Sequence, residues 1–322
     1  MKILYFDPKA VTDKTGMYSY YNGTYSETCN LAEVVTVRQP VDNIKELLSS
    51  VPNVDAIVFG LGWFAQEHVA YYSKIANMDQ INIPIICNMH KIANQTKMKL
   101  RFFKENNASM VLMSPGMIDR FRKIEPDLKF ELFPYAAHPD SFFDRDNDRI
   151  YDFGFSGAKH AKDKDGGIKK GYTEEKAVLR TKMEEIVNKK LNDLKKFWNC
   201  SDTPNILMPE EEYSNLLSQS KIWLSTEGPA IEISPRYYEV VLSKTLLMCN
   251  TIPEEYKHIF RDGENCVEFK NDLSDFEERM RFYLENDEDR QKIVQNAYGE
   301  FVENHTWKSR AQQLIKHIEE LS

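Results

Sequence analysis

The chain alternates short apolar runs, rich in β-branched residues, with stretches in which apolar residues recur at helical spacing. In the first half the strand-like runs are Lys2–Phe6, Glu33–Val37, Asp55–Phe59, Ile83–Asn88, Ser109–Met113 and Phe130–Phe133. The helical patterns between them cover Asn43–Ser50, Ala65–Asn77, Ala93–Glu105 and Pro115–Lys123. Apolar strands that alternate with helices are typical of a parallel sheet covered by helices on both faces.

A polar stretch without periodicity, Pro139–Ile150, interrupts this alternation and is predicted to be a linker. Strands are predicted beyond it at Tyr151–Ser156, Asn205–Met208, Ile222–Ser225, Thr245–Cys249 and Cys266–Phe269. Helices are predicted over Thr173–Trp198, Glu210–Ser218, Pro235–Leu242, Pro253–Phe260, Asp275–Glu285, Asp287–Asn304 and Trp307–Leu321. Because 322 residues are too many for one ordinary core, we expect an α/β protein with two Rossmann-like domains that face each other across a cleft.

Composition and charge narrow the class of protein. Apolar residues make up 42% of the chain and charged residues 29%, which is a globular composition. The net charge of −8 argues against binding to nucleic acid or anionic membranes, because both require a cationic face. The five cysteines are widely spaced, and no apolar run reaches the roughly 18 residues of a membrane span. We therefore expect a cytoplasmic protein with reduced thiols and no structural zinc site.

The hexapeptide Ser-Pro-Arg-Tyr-Tyr-Glu at 234–239 carries the strongest local signal for chemistry. Ser234 is a suitable N-cap, and Pro235 suits the first position of a helix. The N–H groups of Arg236 and Tyr237, together with the Arg236 guanidinium, are predicted to bind a diphosphate. Glu239 lies one turn deeper, where its carboxylate can accept hydrogen bonds from ribose hydroxyls. The alternative is a solvated Arg and Glu on a capped helix, since this pattern is a common helix start.

A second candidate follows the strand predicted at Tyr151–Ser156, where Ser156-Gly157-Ala158-Lys159-His160 brings small residues next to a basic pair. Small residues let the backbone approach a phosphate, and Lys159 or His160 can neutralise it. The spacing is that of neither a P-loop nor a dinucleotide fingerprint, so an ordinary turn is the alternative. We predict that Gly157 and Lys159 contribute to donor binding.

Three further polar or aromatic side chains follow predicted strands. His90 comes after Ile83–Asn88 and can bind a sugar hydroxyl, although a lone histidine is more often structural. Trp63 has the same topological position in the first half, where it either stacks on a ligand or packs in the core. Glu227 and Glu232 lie in the loop before the helix at 235, and either can contact a donor sugar or be solvated. No metal-binding motif stands out, because the Asp144-Arg145-Asp146 triplet lies in the predicted linker.

The C-terminal half contains a series of segments in a recognisable order: Tyr213–Ser225, Pro235–Val241 with Ser243–Leu247, Glu254–Phe260, Gly263–Phe269, Leu273–Leu284 with Arg290, and His305–Ala311. Through these segments it resembles the donor-binding domain of CgeB-like, spore-maturation glycosyltransferases, within the GT-B clan that includes glycosyltransferase family four. The first half is similar more loosely, through Ile3–Tyr5, His90 and Leu132–Phe142.

This resemblance implies a GT-B fold with an acceptor-side domain at 1–145, a donor domain at 150–304 and a final helix, 305–322, that returns to the first domain. It implies transfer from a nucleotide-diphosphate sugar, most simply a UDP-sugar, with retention of configuration and without a cofactor or an obligate metal. Glu239 would hold the ribose, Arg236 and Lys159 the phosphates, and His90 the transferred sugar. The family-four pattern has a second Glu eight positions before Glu239, where this chain has Ile231, so Glu227 and Glu232 remain alternatives for that role.

Two other functions fit the same patterns. One is a nucleotide- or sugar-binding protein without catalytic activity, since a fold does not fix a function. The other is a phage-type glycosyltransferase that modifies DNA bases, against which the acidic net charge counts. The leading prediction is a glycosyltransferase with an unknown acceptor.

Overall fold

The chain folds into two compact units in a computed structural model that describes residues 1–10, 19–66, 68–92, 95–114, 116–159, 173–201, 208–228 and 231–322. The first unit comprises Met1–Tyr135 together with Trp307–Ser322, and the second comprises Ala136–Thr306. The chain thus leaves the first unit once and returns to it with its last helix.

The first unit is built on a six-stranded parallel sheet. Its strands are β1 (Lys2–Phe6), β2 (Glu33–Val37), β3 (Ala56–Phe59), β4 (Ile85–Met89), β5 (Met110–Met113) and β6 (Phe130–Leu132). They are arranged in the order β2-β1-β3-β4-β5-β6, and each pairing is parallel. The helices of this unit are α1 (Ser19–Leu31), α2 (Ile44–Ser50), α3 (Thr96–Glu105), α4 (Ile118–Ile124) and, from the chain's end, α10 (Trp307–Leu321).

The second unit contains a five-stranded parallel sheet. Its strands are β7 (Tyr151–Ala158), β8 (Lys196–Ser201), β9 (Ser220–Ser225), β10 (Leu246–Asn250) and β11 (Val267–Phe269), in the order β11-β10-β9-β7-β8. Its helices are α5 (Glu174–Lys190), α6 (Glu210–Ser218), α7 (Arg236–Leu242), α8 (Phe276–Glu285) and α9 (Asp287–Asn304). The prediction of an α/β protein with two parallel-sheet, Rossmann-like units is confirmed.

Three predicted helices differ from the structure, and one of them, Pro253–Phe260, contains only a 3-10 turn at Glu254–Tyr256. The pattern over Ala65–Asn77 forms 3-10 turns instead, among them Val69–Tyr72, and the Tyr72 hydroxyl donates to the carbonyls of Phe64 and Gln66. The helix predicted to reach Trp198 ends at Lys190, because Lys196–Ser201 pairs with β7 as strand β8. The Trp198 ring stacks on Phe155 of β7, with the ring centroids 4.9 Å apart. The strand predicted at 205–208 lies almost entirely outside the described residues.

Helix α1 was missed because its sequence is polar and contains Gly, Asn, Ser and Thr, all poor helix formers. It forms against the last helix, and Gly23 makes this packing possible. A Cβ atom at Gly23 would lie 2.3 Å from the Trp307 ring, which is itself buried. The close contact between α1 and α10 therefore depends on a residue without a side chain.

The polar stretch predicted to be a linker is firmly bound to the second unit. Arg149 donates hydrogen bonds to the carbonyls of Leu217 and Ser220 at 3.1 and 3.0 Å and to the Thr245 hydroxyl at 2.7 Å. It also pairs with Asp144 at 3.2 Å, so this carboxylate serves a structural contact. A guanidinium that donates to carbonyls of α6 and of the first residue of β9 belongs to the folded unit rather than to a flexible connection.

We predict that Gly23→Ala destabilises the protein by about 1–3 kcal/mol, because the added methyl group overpacks the contact with Trp307. Gly299→Ala is the matched control: Gly299 also lies within a helix, α9, but a Cβ atom there meets nothing within 4 Å. The control should be neutral or more stable by up to about 1 kcal/mol. Urea unfolding measures both, and equal effects of the two variants would contradict the packing explanation.

Candidate functional site

At the carboxyl edge of the second sheet, a hydrogen bond made by Glu227 connects the loop after β9 to the end of β10. This residue follows β9, and its N–H donates to the side-chain oxygen of Asn250, the last residue of β10, at 2.9 Å. The Asn250 amide in turn donates to Asn271 at 3.0 Å and lies 3.5 Å from a Glu227 carboxylate oxygen. Glu227 is 8% exposed. Asn250, which the sequence analysis did not identify, thus fixes the position of a candidate sugar-binding carboxylate.

The loop that carries Glu227 closes on Glu232. The N–H of Gly228 donates to the Glu232 carbonyl at 2.8 Å, and the two residues form an isolated antiparallel bridge. Glu232 is partly buried, whereas Glu227 is buried. Between them, Ile231 has a left-handed backbone with φ of 58°, a conformation that is costly for a β-branched residue. The structure therefore brings both candidate carboxylates into one small loop before α7.

The start of α7 differs in detail from the prediction. Ser234 does not cap the helix with its side chain, and its carbonyl accepts the Tyr237 N–H at 3.2 Å. The prediction of a free Tyr237 N–H was wrong, because this N–H closes a turn onto the Ser234 carbonyl and the helix begins at Arg236. The Tyr237 side chain is fully buried and packs on Phe260 with the ring centroids 5.4 Å apart. The buried Tyr237 ring therefore packs beneath the start of α7 and supports it from the protein interior.

Arg236 and Glu239 lie on the first turn of α7 and are both partly buried. Within the described residues, the Arg236 guanidinium and the Glu239 carboxylate each lack a hydrogen-bond partner. Burial raises the pKa of Glu239 to about 8; the Arg236 charge opposes this shift and Glu210 adds to it. A carboxylate desolvated in this way gains most from ligand groups that hydrogen-bond to it.

Gly157 and Lys159 are placed differently from the prediction. Strand β7 continues through Ala158, so Gly157 lies inside the strand, opposite Cys200, and forms no turn. Lys159 forms an ion pair with Glu184 of α5, with Nζ 2.5 Å from the carboxylate oxygen, and Trp198 donates to the same carboxylate at 3.2 Å. The neighbouring His160 lies outside the described residues.

Arg180 of α5 is the cation at this edge that the sequence analysis missed. Its guanidinium donates to the carbonyl of Ala158, at the end of β7, and to the hydroxyl of Thr226, just after β9. No local motif marks Arg180, since it lies in the middle of an ordinary helical pattern. Only the strand order β9-β7 brings its two partners together.

In the first unit, His90 directly follows β4 and is fully buried. Burial and the charges of Lys99, Lys91 and Lys9 hold its pKa well below the usual value, so the imidazole is neutral. Neither ring nitrogen has a hydrogen-bond partner among the described residues. The ring meets Tyr21 of α1 edge-on at 5.5 Å, and the buried Lys99 ammonium donates to the His90 carbonyl at 2.8 Å.

Asp7, at the end of β1, is a second buried polar group that was not predicted. Its carboxylate accepts the N–H groups of Lys9 and Gly62 at 2.8 and 2.9 Å. Burial raises its pKa to about 7. A Cβ atom at Gly62 would lie 2.0 Å from this carboxylate, which explains the glycine. Trp63 is buried and donates to the Tyr71 carbonyl at 2.8 Å, so it packs in the core rather than presenting its ring to a ligand.

Across the described ranges, no group of three or more His, Cys, Asp or Glu side chains is arranged to hold a metal ion. A helix long and apolar enough to cross a membrane is likewise missing from those ranges.

Comparison with known proteins supports a glycosyltransferase. Residues 202–316 match the family model described as glycosyl transferase-like. This region contains the loops around Glu227 and Glu232 and all of α7. A search of curated protein sequences gave no significant match. The predicted enzyme class is confirmed at the level of this family match, whereas the narrower CgeB-like assignment stays a prediction.

Several solved structures share the fold over almost the whole chain. Anabaena Alr3699/HepE, in complex with UDP and glucose, has a TM-score of 0.61 and 10% identity, with 99% of each chain covered. A glycosyltransferase from Rickettsia africae gives 0.61 and 13%, covering 99% of this chain and 98% of its own. Sucrose-phosphate synthase from Thermosynechococcus elongatus gives 0.62 and 10%, with coverages of 99% and 98%. The predicted GT-B class is thereby confirmed.

We predict that Glu239→Gln removes a pH-dependent part of the stability. In the unfolded chain Glu239 ionises near its ordinary value of 4.5, but in the folded protein only near 8. Between these values the folded protein keeps a proton that the unfolded chain has lost, so a rise in pH favours unfolding. Urea unfolding from pH 5 to 8 should show a steeper loss for the wild type than for the variant. An equal pH dependence of the free energy of unfolding in the two proteins would contradict the raised pKa of Glu239. The pKa of Asp7 is raised as well, but Asp7 contributes equally to both proteins.

Proposed function

We propose that this protein transfers a sugar from a UDP-sugar to an acceptor, with retention of the anomeric configuration and without a required metal ion. The observation that carries the proposal is the pair Arg236 and Glu239 on the first turn of α7, within the region that matches the glycosyl transferase-like family. A guanidinium and a carboxylate, both partly buried and without described hydrogen-bond partners, suit a ligand that carries phosphate and hydroxyl groups together.

Glu239 is proposed to hold the ribose. A carboxylate with two acceptor oxygens can bind two neighbouring hydroxyl groups, and these bonds offset the desolvation that raises its pKa. Arg236 is proposed to bind the diphosphate through its planar fork of N–H donors. Ser234 lies two residues before it, in the turn that leads into the helix, and is proposed to line the same phosphate site.

The chemical step requires charge stabilisation on the departing diphosphate and support for an oxocarbenium-like sugar. A guanidinium supplies the first without a metal. Glu227 or Glu232 is proposed to contact the donor sugar, and both lie in the loop closed by the Gly228–Glu232 bridge. His90, neutral and with two ring nitrogens able to hydrogen-bond, keeps its predicted role of binding a sugar hydroxyl as a proposal.

A uridine donor is supported by the structure of similar fold that holds UDP and glucose. The competing functions are a protein that binds such a nucleotide without turnover and an enzyme that acts on DNA bases. Slow hydrolysis of a UDP-sugar by the pure protein separates the enzyme from the binding protein. A gel shift with duplex DNA tests the second, and the net charge of −8 counts against it.

We expect Arg236→Ala and Glu239→Ala each to weaken UDP-glucose binding by at least about tenfold, because each removes a hydrogen-bonding group of the proposed donor site and a tenfold loss corresponds to only about 1.4 kcal/mol. Isothermal titration calorimetry measures the affinity. Glu278→Ala, an exposed glutamate in the first turn of α8, is the control and should bind like the wild type. Unchanged affinity in both site variants, with wild-type unfolding curves, would rule out this donor site.

We expect hydrolysis of UDP-glucose to release α-glucose first and to continue in excess EDTA. Retention keeps the α configuration of the donor, and cationic side chains take the place of a metal on the diphosphate. Proton NMR during the first minutes distinguishes the α from the β anomer before they equilibrate. Initial release of β-glucose would overturn retention, and loss of activity that Mg²⁺ or Mn²⁺ restores would overturn metal independence.

A further inference from the structure

The side chain of Arg180 joins two neighbouring strand ends of the second sheet. Its Nη1 donates to the Ala158 carbonyl at 2.5 Å, and its Nε donates to the Thr226 hydroxyl at 2.9 Å. Ala158 ends β7, and Thr226 is the residue directly after β9. Because β7 and β9 are adjacent and parallel, both partners lie on the carboxyl edge of the sheet, where α/β proteins bind their ligands.

Gly157 provides the space in which this guanidinium lies. A Cβ atom at Gly157 would be 3.2 Å from Nη1 of Arg180 and 3.1 Å from the Phe155 ring. Arg180 also lies 5.7 Å from the centroid of that ring, within the range of a cation–π contact. The small residue predicted to let a phosphate approach the backbone instead lets an arginine approach it.

The charge of Arg180 acts on the other parts of the site. It opposes the rise in the pKa of buried Tyr237, the second residue of α7, whereas Glu227 adds to that rise. The charges of Arg180 and Glu227 therefore both act on the hydroxyl of Tyr237. The strand end at Ala158 and the loop at Thr226 thus meet at one positive charge.

Lys159, by contrast, is paired with an acidic side chain of α5, the helix that also carries Arg180. Its ammonium is paired with Glu184 at 2.5 Å, and both side chains are mostly buried, with exposed fractions of 19% and 24%. Trp198 of β8 donates to the same carboxylate. Because a buried ion pair neutralises its own charge and is costly to break, Lys159 is poorly suited to meet a diphosphate.

We propose that Arg180, rather than Lys159, provides the second positive charge that binds the donor diphosphate, beside Arg236. The inference rests on the proposed function, since it assigns a binding residue to the same donor site. Two guanidinium groups match the two negative charges of the diphosphate in a nucleotide sugar. Arg180 also positions the ends of β7 and β9, so its contribution to charge and its contribution to structure must be separated.

The test compares the binding of UDP with that of uridine, which carries the same base and ribose but no phosphate. Arg180→Gln should weaken UDP binding at least tenfold and reduce its dependence on salt, while uridine affinity stays within twofold. Arg180→Lys keeps the charge and should retain part of the UDP affinity. Lys159→Gln should leave UDP affinity within twofold, and Lys182→Gln, an exposed lysine on α5, is the surface control.

Three results would overturn the inference: an equal loss of UDP and uridine affinity in Arg180→Gln, a loss in Lys159→Gln as large as that in Arg180→Gln, or an unchanged salt dependence. If Arg180→Gln fails to fold, Arg180→Lys decides, because a purely structural role predicts that uridine and UDP binding weaken together. A wild-type protein that binds none of UDP, GDP and ADP would contradict the proposed function itself, which is a distinguishable outcome.

Discussion

The parallel pairing of the strands is the constraint on which the rest of the structure depends. Every pairing in the two described sheets is parallel, so each sheet collects all its strand ends on one edge. In the second sheet this edge brings together Ala158, Thr226 and Asn250, which are far apart in the sequence. Asn250 can then fix the Glu227 loop, and Arg180 can join two strands with one guanidinium.

Burial of polar groups sets the electrostatics of both units. His90 is neutral because it is buried among lysines, while burial raises the pKa of Asp7 to about 7 and that of Glu239 to about 8. Each of these groups costs stability unless a hydrogen bond satisfies it. Asp7 is satisfied by two backbone N–H groups, whereas Glu239 has no such partner among the described residues. The Asp7 carboxylate is therefore structural, whereas the Glu239 carboxylate is suited to bind a ligand.

Predictions from local sequence patterns agree with the structure where all the residues concerned lie in one helix or strand. Arg236 and Glu239 are three residues apart on one helix, so their shared face follows from helical geometry alone. The turn predicted at Gly157 is absent because β7 continues through Ala158, and the surroundings of Gly157 and Lys159 come from elsewhere: Arg180 and Glu184 both approach from α5. Likewise Trp63 follows a strand, as a ligand-binding residue often does, yet it packs against Phe6, Phe59 and Tyr71.

The sequence by itself determined the α/β class, most strand positions and the pairing of Arg236 with Glu239 on α7, because hydrophobic periodicity and helical spacing act over a few neighbouring residues. Only the tertiary structure decided that residues 196–201 form a strand and that α1 is a helix. It also decided which cations face the strand ends. Pairing partners, close contacts such as that of Gly23 with Trp307, and the desolvation of Glu239 depend on residues distant in the chain, which a local pattern does not specify.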